Sequence, residues 1–243
     1  MAQALRRRTN KDPSLAVANP GGRVAVRLVD MPTEKRPLSG QGLTAKVRGA
    51  DVRKRILRTA LEYFGTFGFE GTSTRAVAEK AQVTHTLILY HFKSKDRLWI
   101  ATVEESLEKY GGKMLEMIAA APQRTARDSL AIFVENFVRM SARQPHIHRL
   151  MTMEGNQNTK RIEWIINRFL RGHFTFVRDL IRRGQMEGSV RQCDPARLYY
   201  LIIRASGTPF TLKTEYRALT ERDVFSEAEV LRNIAFIYEI VFI

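Results

Sequence analysis

An all-α fold is the expectation for this chain, and three observations carry it. Apolar residues recur at helical spacing from about residue 46 nearly to the end. Hydroxyl and Asp side chains stand just ahead of several of these stripes, at Thr72-Ser73-Thr74, Thr84 and Asp194, where helix caps belong. Gly and Pro punctuate between stripes, at Gly68, Gly71, Gly111-Gly112, Pro122, Pro145, Gly184 and Gly188.

Taken in order, residues 1–45 read as a flexible extension, rich in Pro and Gly and poor in large apolar side chains. Val52, Ile56, Leu57, Ala60, Leu61, Phe64 and Phe67 then line one helical face. A second, short helix follows the Thr72–Thr74 cap and carries Val77, Ala78 and Ala81. After a turn at Gln82-Val83, Thr84 caps a third helix running to about His91. Two short helices joined by a tight turn make a helix-turn-helix, whose second member fits the major groove of DNA.

A fourth helix runs from Lys95 to about Tyr110, where Gly111-Gly112 is expected to kink or break it. Further helices are expected at 114–121, at 124–143, from Pro145 through Met153, and from about Lys160 to Arg183. Asp194-Pro195 opens another, with Gly207 and Pro209 expected to interrupt it. Glu227 to the end forms the last. The count is about nine. The domains expected are a basic extension (1–45), a helix-turn-helix domain (46–94) and a helical domain for ligand binding and dimerisation (95–243).

The formal charge of +15 points to a polyanionic partner, nucleic acid before a membrane surface. Residues 1–50 carry ten Lys or Arg against three acids, whereas residues 51–110 carry ten against eight. The extension is thus a candidate electrostatic arm. Cys193 is the sole cysteine, so no internal disulfide forms and a reducing compartment fits, with the cytoplasm as the expectation. No run approaches the length of a membrane-spanning helix.

The helix-turn-helix segment resembles the DNA-binding domain of the TetR family of transcriptional regulators. The matching pieces are Ile56-Leu57-Arg58-Thr59-Ala60, Phe64, Gly68-Phe69, Gly71-Thr72-Ser73-Thr74-Arg75, Val77-Ala78, Val83-Thr84, Tyr90-His91-Phe92 and Ser94-Lys95. Two positions depart from the family pattern. Gln82 stands where the family often has Gly, and Leu89 where it usually has a phosphate-binding Tyr. The resemblance implies a ligand-responsive regulator, expected to be a repressor, that binds a palindromic double-stranded DNA operator as a homodimer. It implies a small-molecule effector that lowers affinity for DNA by favouring one of two states.

Thr84, His85, Thr86 and Leu87 open the third helix, where base edges are reached. The resemblance adds Ser73, Thr74 and Arg75 at the start of the second helix, and Tyr90, His91 and Lys95 as phosphate-positioning groups. For the effector, candidate lining residues are Met117, Phe137, Met151, Glu154, Trp164, Phe174 and Arg178. For the dimer, the candidate surface is the apolar stripe of the last two long helices: Leu198, Leu201, Ile202, Ala205, Val230, Ile234, Ile237, Tyr238 and Val241.

Catalytic and cofactor readings lack their residues. His146 and His148 are two apart and diverge on a helix, so no zinc site is expected. Gly65-x-x-Gly68-x-x-Gly71 has neither the spacing nor the preceding strand of a dinucleotide loop. No metal, cofactor or catalytic residue is assigned. The competing functions are an architectural or nucleoid-type DNA-binding protein and, more distantly, an all-helical enzyme.

Overall fold

The computed structural model describes residues 41–112, 116, 118, 120 and 124–243. Helix α1 spans Gln41–Gly71 with a kink at Gly68, whose φ of 70 is not helical; α2 spans Thr74–Lys80, α3 His85–Phe92 and α4 Lys95–Leu107. Beyond them lie α5 (Ala126–Arg143), α6 (Pro145–Gly155), α7 (Lys160–Ile165), α8 (Arg171–Met186), α9 (Pro195–Thr211), α10 (Lys213–Thr220) and α11 (Glu227–Val241). Among the described residues β structure is confined to one isolated antiparallel bridge, Val190 with Phe242.

The starts of these helices follow from their caps. Ser73, Thr84, Ser94, Thr125, Thr159, Asp194 and Ser226 each accept a hydrogen bond from a backbone N–H of the first turn. Asp194 combines its cap with Pro195 in the first turn, where the missing N–H costs nothing.

Four boundaries differ from the sequence expectation. Helix α1 begins at Gln41 rather than at residue 46, and the rest of the extension lies outside the described residues, as does nearly all of the helix expected at 114–121. Gly111-Gly112 does not break α4: the helix widens into a π-helical turn at Glu108–Gly112. A second π-helical turn, Ile166–Leu170, joins α7 to α8, which runs on to Met186. Helix α9 continues through Pro209 to Thr211. Pro209 has no N–H to offer the Ala205 carbonyl four residues back. The Asn233 side chain of α11 donates there instead, at 3.2 Å, which replaces the missing bond and ties α11 to α9.

The apolar stripes close two cores. The first gathers Ile56, Leu57, Phe64, Val77, Ile88, Phe92, Leu98 and Trp99, and also takes in Ile147, Leu150, Ile162 and Ile165 from helices beyond α4. Phe67 is the exception on the α1 stripe, lying 55 % exposed against Tyr63. The second core packs Leu130, Phe133, Val134 and Val138 of α5 on Val177 and Ile181 of α8, Ile202 of α9 and Ile237 of α11.

Between α1 and α6 the backbones nearly touch. A Cβ on Gly65 would lie 2.7 Å from the carbonyl oxygen of His146. Only a residue without a side chain lets the helix-turn-helix unit seat directly on α6.

Candidate nucleic-acid interface and internal cavity

The recognition unit is held from three sides. Arg55 of α1 donates from Nε to the Ala81 carbonyl at 2.9 Å and clamps the turn between α2 and α3. Within that turn the Val83 N–H bonds the Ala78 carbonyl. Ile88 and Phe92 bury the inner face of α3, so its outer face is left to solvent.

The outer face carries the residues expected at DNA. Thr84 caps α3 through the Leu87 N–H at 3.2 Å, and Thr86 lies exposed beside it. Tyr90 is 70 % exposed. His85 is half-buried, its Nε2 paired with the Thr74 hydroxyl at 3.0 Å, which joins the starts of α2 and α3 into one polar edge. Ser73 and Arg75 are exposed on that edge, and Leu87 and His91 are half-buried along α3. Lys95 is also engaged within the protein, where its ammonium donates to the Glu70 carbonyl at 3.2 Å and lies 4.5 Å from the centre of the Phe69 ring. Lys93, missed from sequence, is exposed at the end of α3 with its ammonium 5.5 Å from the Tyr90 ring centre. Its signal was a cation directly after Tyr-His-Phe.

Gln82 occupies the turn with φ 53, in the left-handed region where Gly is usual. Gln82→Gly is therefore expected to leave the fold unchanged and to stabilise it by about 0.5–1 kcal/mol, relief of the left-handed strain exceeding the entropy that Gly adds to the unfolded chain. Thermal melts check this, and a destabilised variant would show that Gln82 makes a compensating contact.

A cavity of about 710 Å³ lies between the α4 end, α5, α6, the α7–α8 turn and α9. Of the seven expected lining residues, Phe137, Met151 and Phe174 face it, and Met117 lies outside the described residues. Glu154, Trp164 and Arg178 are corrected, for none of the three lines it. Glu154 is 4 % exposed and accepts from Arg161 Nε at 3.2 Å. Trp164 packs between Trp99 and Phe169, and Arg178 pairs with Asp179 at 3.0 Å. His148, His173 and Tyr199 were missed. His148 precedes Met151 by one helical step and Gly155 by two, so helical spacing from Met151 would have found it. His173 Nδ1 and the Tyr199 hydroxyl lie 3.1 Å apart. Burial, with nearby Arg204, drives His148 down to about 4. Burial drives His173 to about 4 and Tyr199 up to about 12. All three are uncharged near neutrality.

The expected dimer stripe also needs correction. Leu198, Ile202, Val230, Ile234, Ile237 and Val241 are buried in the protomer's own core. Tyr238 is half-buried and donates to the Ala131 carbonyl at 2.9 Å. Of that set Leu201 is exposed and Ala205 half-buried. The Asn233–Ala205 bond fixes which edges of α9 and α11 adjoin. Leu201 on α9 and Phe236 on α11 are exposed, at 39 % and 53 %; Leu212, just past the end of α9, is also exposed, and Ile240 is half-buried.

Among the described residues no three His, Cys, Asp or Glu side chains are grouped to hold a metal ion. No described helix is long and apolar enough to cross a membrane. Burial and Asp194 raise the Cys193 thiol above its ordinary range, opposite to what an activated thiolate needs.

The fold and the exposed helix-turn-helix define a DNA-binding transcriptional regulator. Residues 56–102 match the model of bacterial regulatory proteins of the tetR family, and residues 127–241 match that of the tetracyclin repressor-like C-terminal domain. The chain belongs to the TetR family, whose members in these comparisons are regulators rather than enzymes. It is 34 % identical over 108 residues to the transcriptional regulator RutR of Escherichia coli K12, covering 42 % of this chain and 47 % of RutR. The chain thus spans about half the length of that relative. It is 22 % identical over 159 residues to YhgD of Bacillus subtilis, 63 % of this chain and 80 % of YhgD. Two solved structures share the fold. AibR in complex with isovaleryl coenzyme A and operator DNA aligns with TM-score 0.64 at 13 % identity, over 79 % of this chain and 98 % of AibR. A HlyIIR linker mutant aligns with TM-score 0.61 at 18 % identity, over 79 % and 96 %.

Proposed function

We propose that this regulator is a ligand-responsive repressor that binds a palindromic operator as a homodimer. Residues 46–94 form its DNA-binding domain, and residues 95–243 form its effector and dimerisation domain. The observation that carries the reading is one chain holding both an outward recognition helix and a cavity of about 710 Å³, a size ordinary for small-molecule sites. The cavity favours a regulator over an architectural DNA-binding protein, which has no use for one. The AibR complex, holding a small molecule and operator DNA together, supports the same pair of partners here. A DNA partner also supports the cytoplasm as its location.

Thr86, an exposed α3 residue whose hydroxyl bonds none of the described residues, is the cleanest test of base contact. Thr86→Ala is expected to weaken cognate binding by about 1–3 kcal/mol and leave non-specific binding unchanged. Fluorescence anisotropy on cognate and scrambled duplexes checks this; equal losses on both would remove α3 as the base-reading element.

Residues 1–40 carry eight Lys or Arg against three acids. Their deletion is expected to flatten the slope of log affinity against log salt by about 0.9 for each phosphate the extension neutralises. A slope unchanged by the deletion would show that the extension stays off DNA.

A further inference from the structure

The charges around the cavity are one-sided. Its described lining includes Glu108 and three arginines, Arg168, Arg171 and Arg204. Arg168 is answered by Glu108 at 3.5 Å. Arg171 and Arg204 have only neutral acceptors among the described residues: Asn167 Oδ1 at 3.3 Å and Thr152 Oγ1 at 2.7 Å. Two guanidinium groups are thus left without a carboxylate. Both are exposed, so they stand where the cavity meets solvent.

The interior is different. Phe137, Met140, Met151, Phe169, Phe174 and Ile203 give it an apolar lining, and the thioethers adapt to varied shapes. Its polar groups are uncharged: His148 carries no side-chain hydrogen bond on its buried Nε2, and His173 and Tyr199 satisfy one another. An ion pushed into this interior would lose its hydration without an opposite charge to replace it. An apolar body would lose nothing there, while an oxyanion at the mouth would meet guanidinium forks suited to carboxylate and phosphate oxygens.

Building on the reading of this cavity as the effector site, we propose that its ligand is an amphipathic organic anion. An acyl-chain-sized apolar body lies among Phe137, Phe169 and Phe174, and the anionic end lies at Arg171 and Arg204. That anion is a free carboxylate or the phosphates of an acyl carrier thioester. Cations are excluded by the same two arginines, and neutral ligands forgo the charge-assisted bonds.

Calorimetric titration of the full chain with decanoate, decanoyl-coenzyme A, decan-1-ol and decylamine tests this. Decanoate or decanoyl-coenzyme A is expected to bind at least about tenfold more tightly than decan-1-ol, with decylamine weaker still. Whichever anion leads identifies the source. In the double variant Arg171→Gln/Arg204→Gln the preference for the anion is expected to vanish while decan-1-ol binds as before. Circular dichroism confirms that the variant is folded, and Arg204→Lys alone, which keeps the charge, is expected to retain part of the preference. If decan-1-ol or decylamine matches the anions on the unmodified protein, the cavity is still a ligand site but the anion inference is overturned. A preference that survives the double variant also overturns it. If none of the four binds, the effector-site reading fails and the inference with it.

Discussion

Leu201→Asp combined with Phe236→Asp is expected to yield a folded monomer that no longer holds its operator. Both side chains are exposed in the protomer, at 39 % and 53 %, so the changes leave its core alone. They lie on α9 and α11, the two helices that the Asn233–Ala205 bond joins. A patch of this kind can meet its own copy about a two-fold axis. A carboxylate there would be desolvated without a partner on association, which is strongly unfavourable. A monomer reaches one half-site only, and losing the second removes the gain from linked binding, about 10²–10⁴-fold in affinity. Sedimentation velocity and operator titration check both halves of the result. A dimer that persists with full helicity would place the interface elsewhere.

Arg161→Ala is expected to be strongly destabilising. Its Nε bonds both Glu154 oxygens at 3.2 Å, and its guanidinium lies 4.0 Å from the centre of the Phe69 ring. Glu154 is 4 % exposed, so removing Arg161 strands a buried carboxylate. Breaking such a pair costs about 3–5 kcal/mol, and the partial exposure of Arg161 favours the lower end. At about 2–4 °C per kcal/mol for a chain of this size, Tm should fall by about 6–12 °C. Adding Glu154→Gln should recover part of that loss by removing the stranded charge. A Tm within about 2 °C of the unmodified protein would show that water replaces Arg161 fully. The effect should also reach DNA binding, because Phe69 belongs to the helix-turn-helix unit while Glu154 closes α6, whose Met151 and Gly155 line the cavity.

Local signals made much of this molecule legible. Ser73, Thr84 and Asp194 announce helix starts because a cap needs only a side-chain oxygen two or three residues ahead of its N–H. The stripe Ile56, Leu57, Ala60, Leu61 and Phe64 identifies a buried face, and that face is the first core. What such a stripe cannot reveal is which body covers it. Ile234 and Ile237 read as an interface yet fill the protomer's own core, whereas Phe236, on the opposite side of α11, faces outward. Glu154 read as an effector-lining residue because its partner, Arg161, lies across a helix connection. The bond that takes up the Ala205 carbonyl left free by Pro209 comes from Asn233, a residue of another helix, and no local rule reaches that far.

A homodimer of this chain is expected to present two α3 helices to one symmetric site. Selection of binding sites from a pool of randomised duplex DNA tests it most directly. The full chain is expected to enrich one motif made of two inverted half-sites at fixed spacing, and Thr86→Ala is expected to relax preference at matching positions in both halves. Enrichment of a single unpaired half-site, or no sequence enrichment beyond base composition, would contradict it.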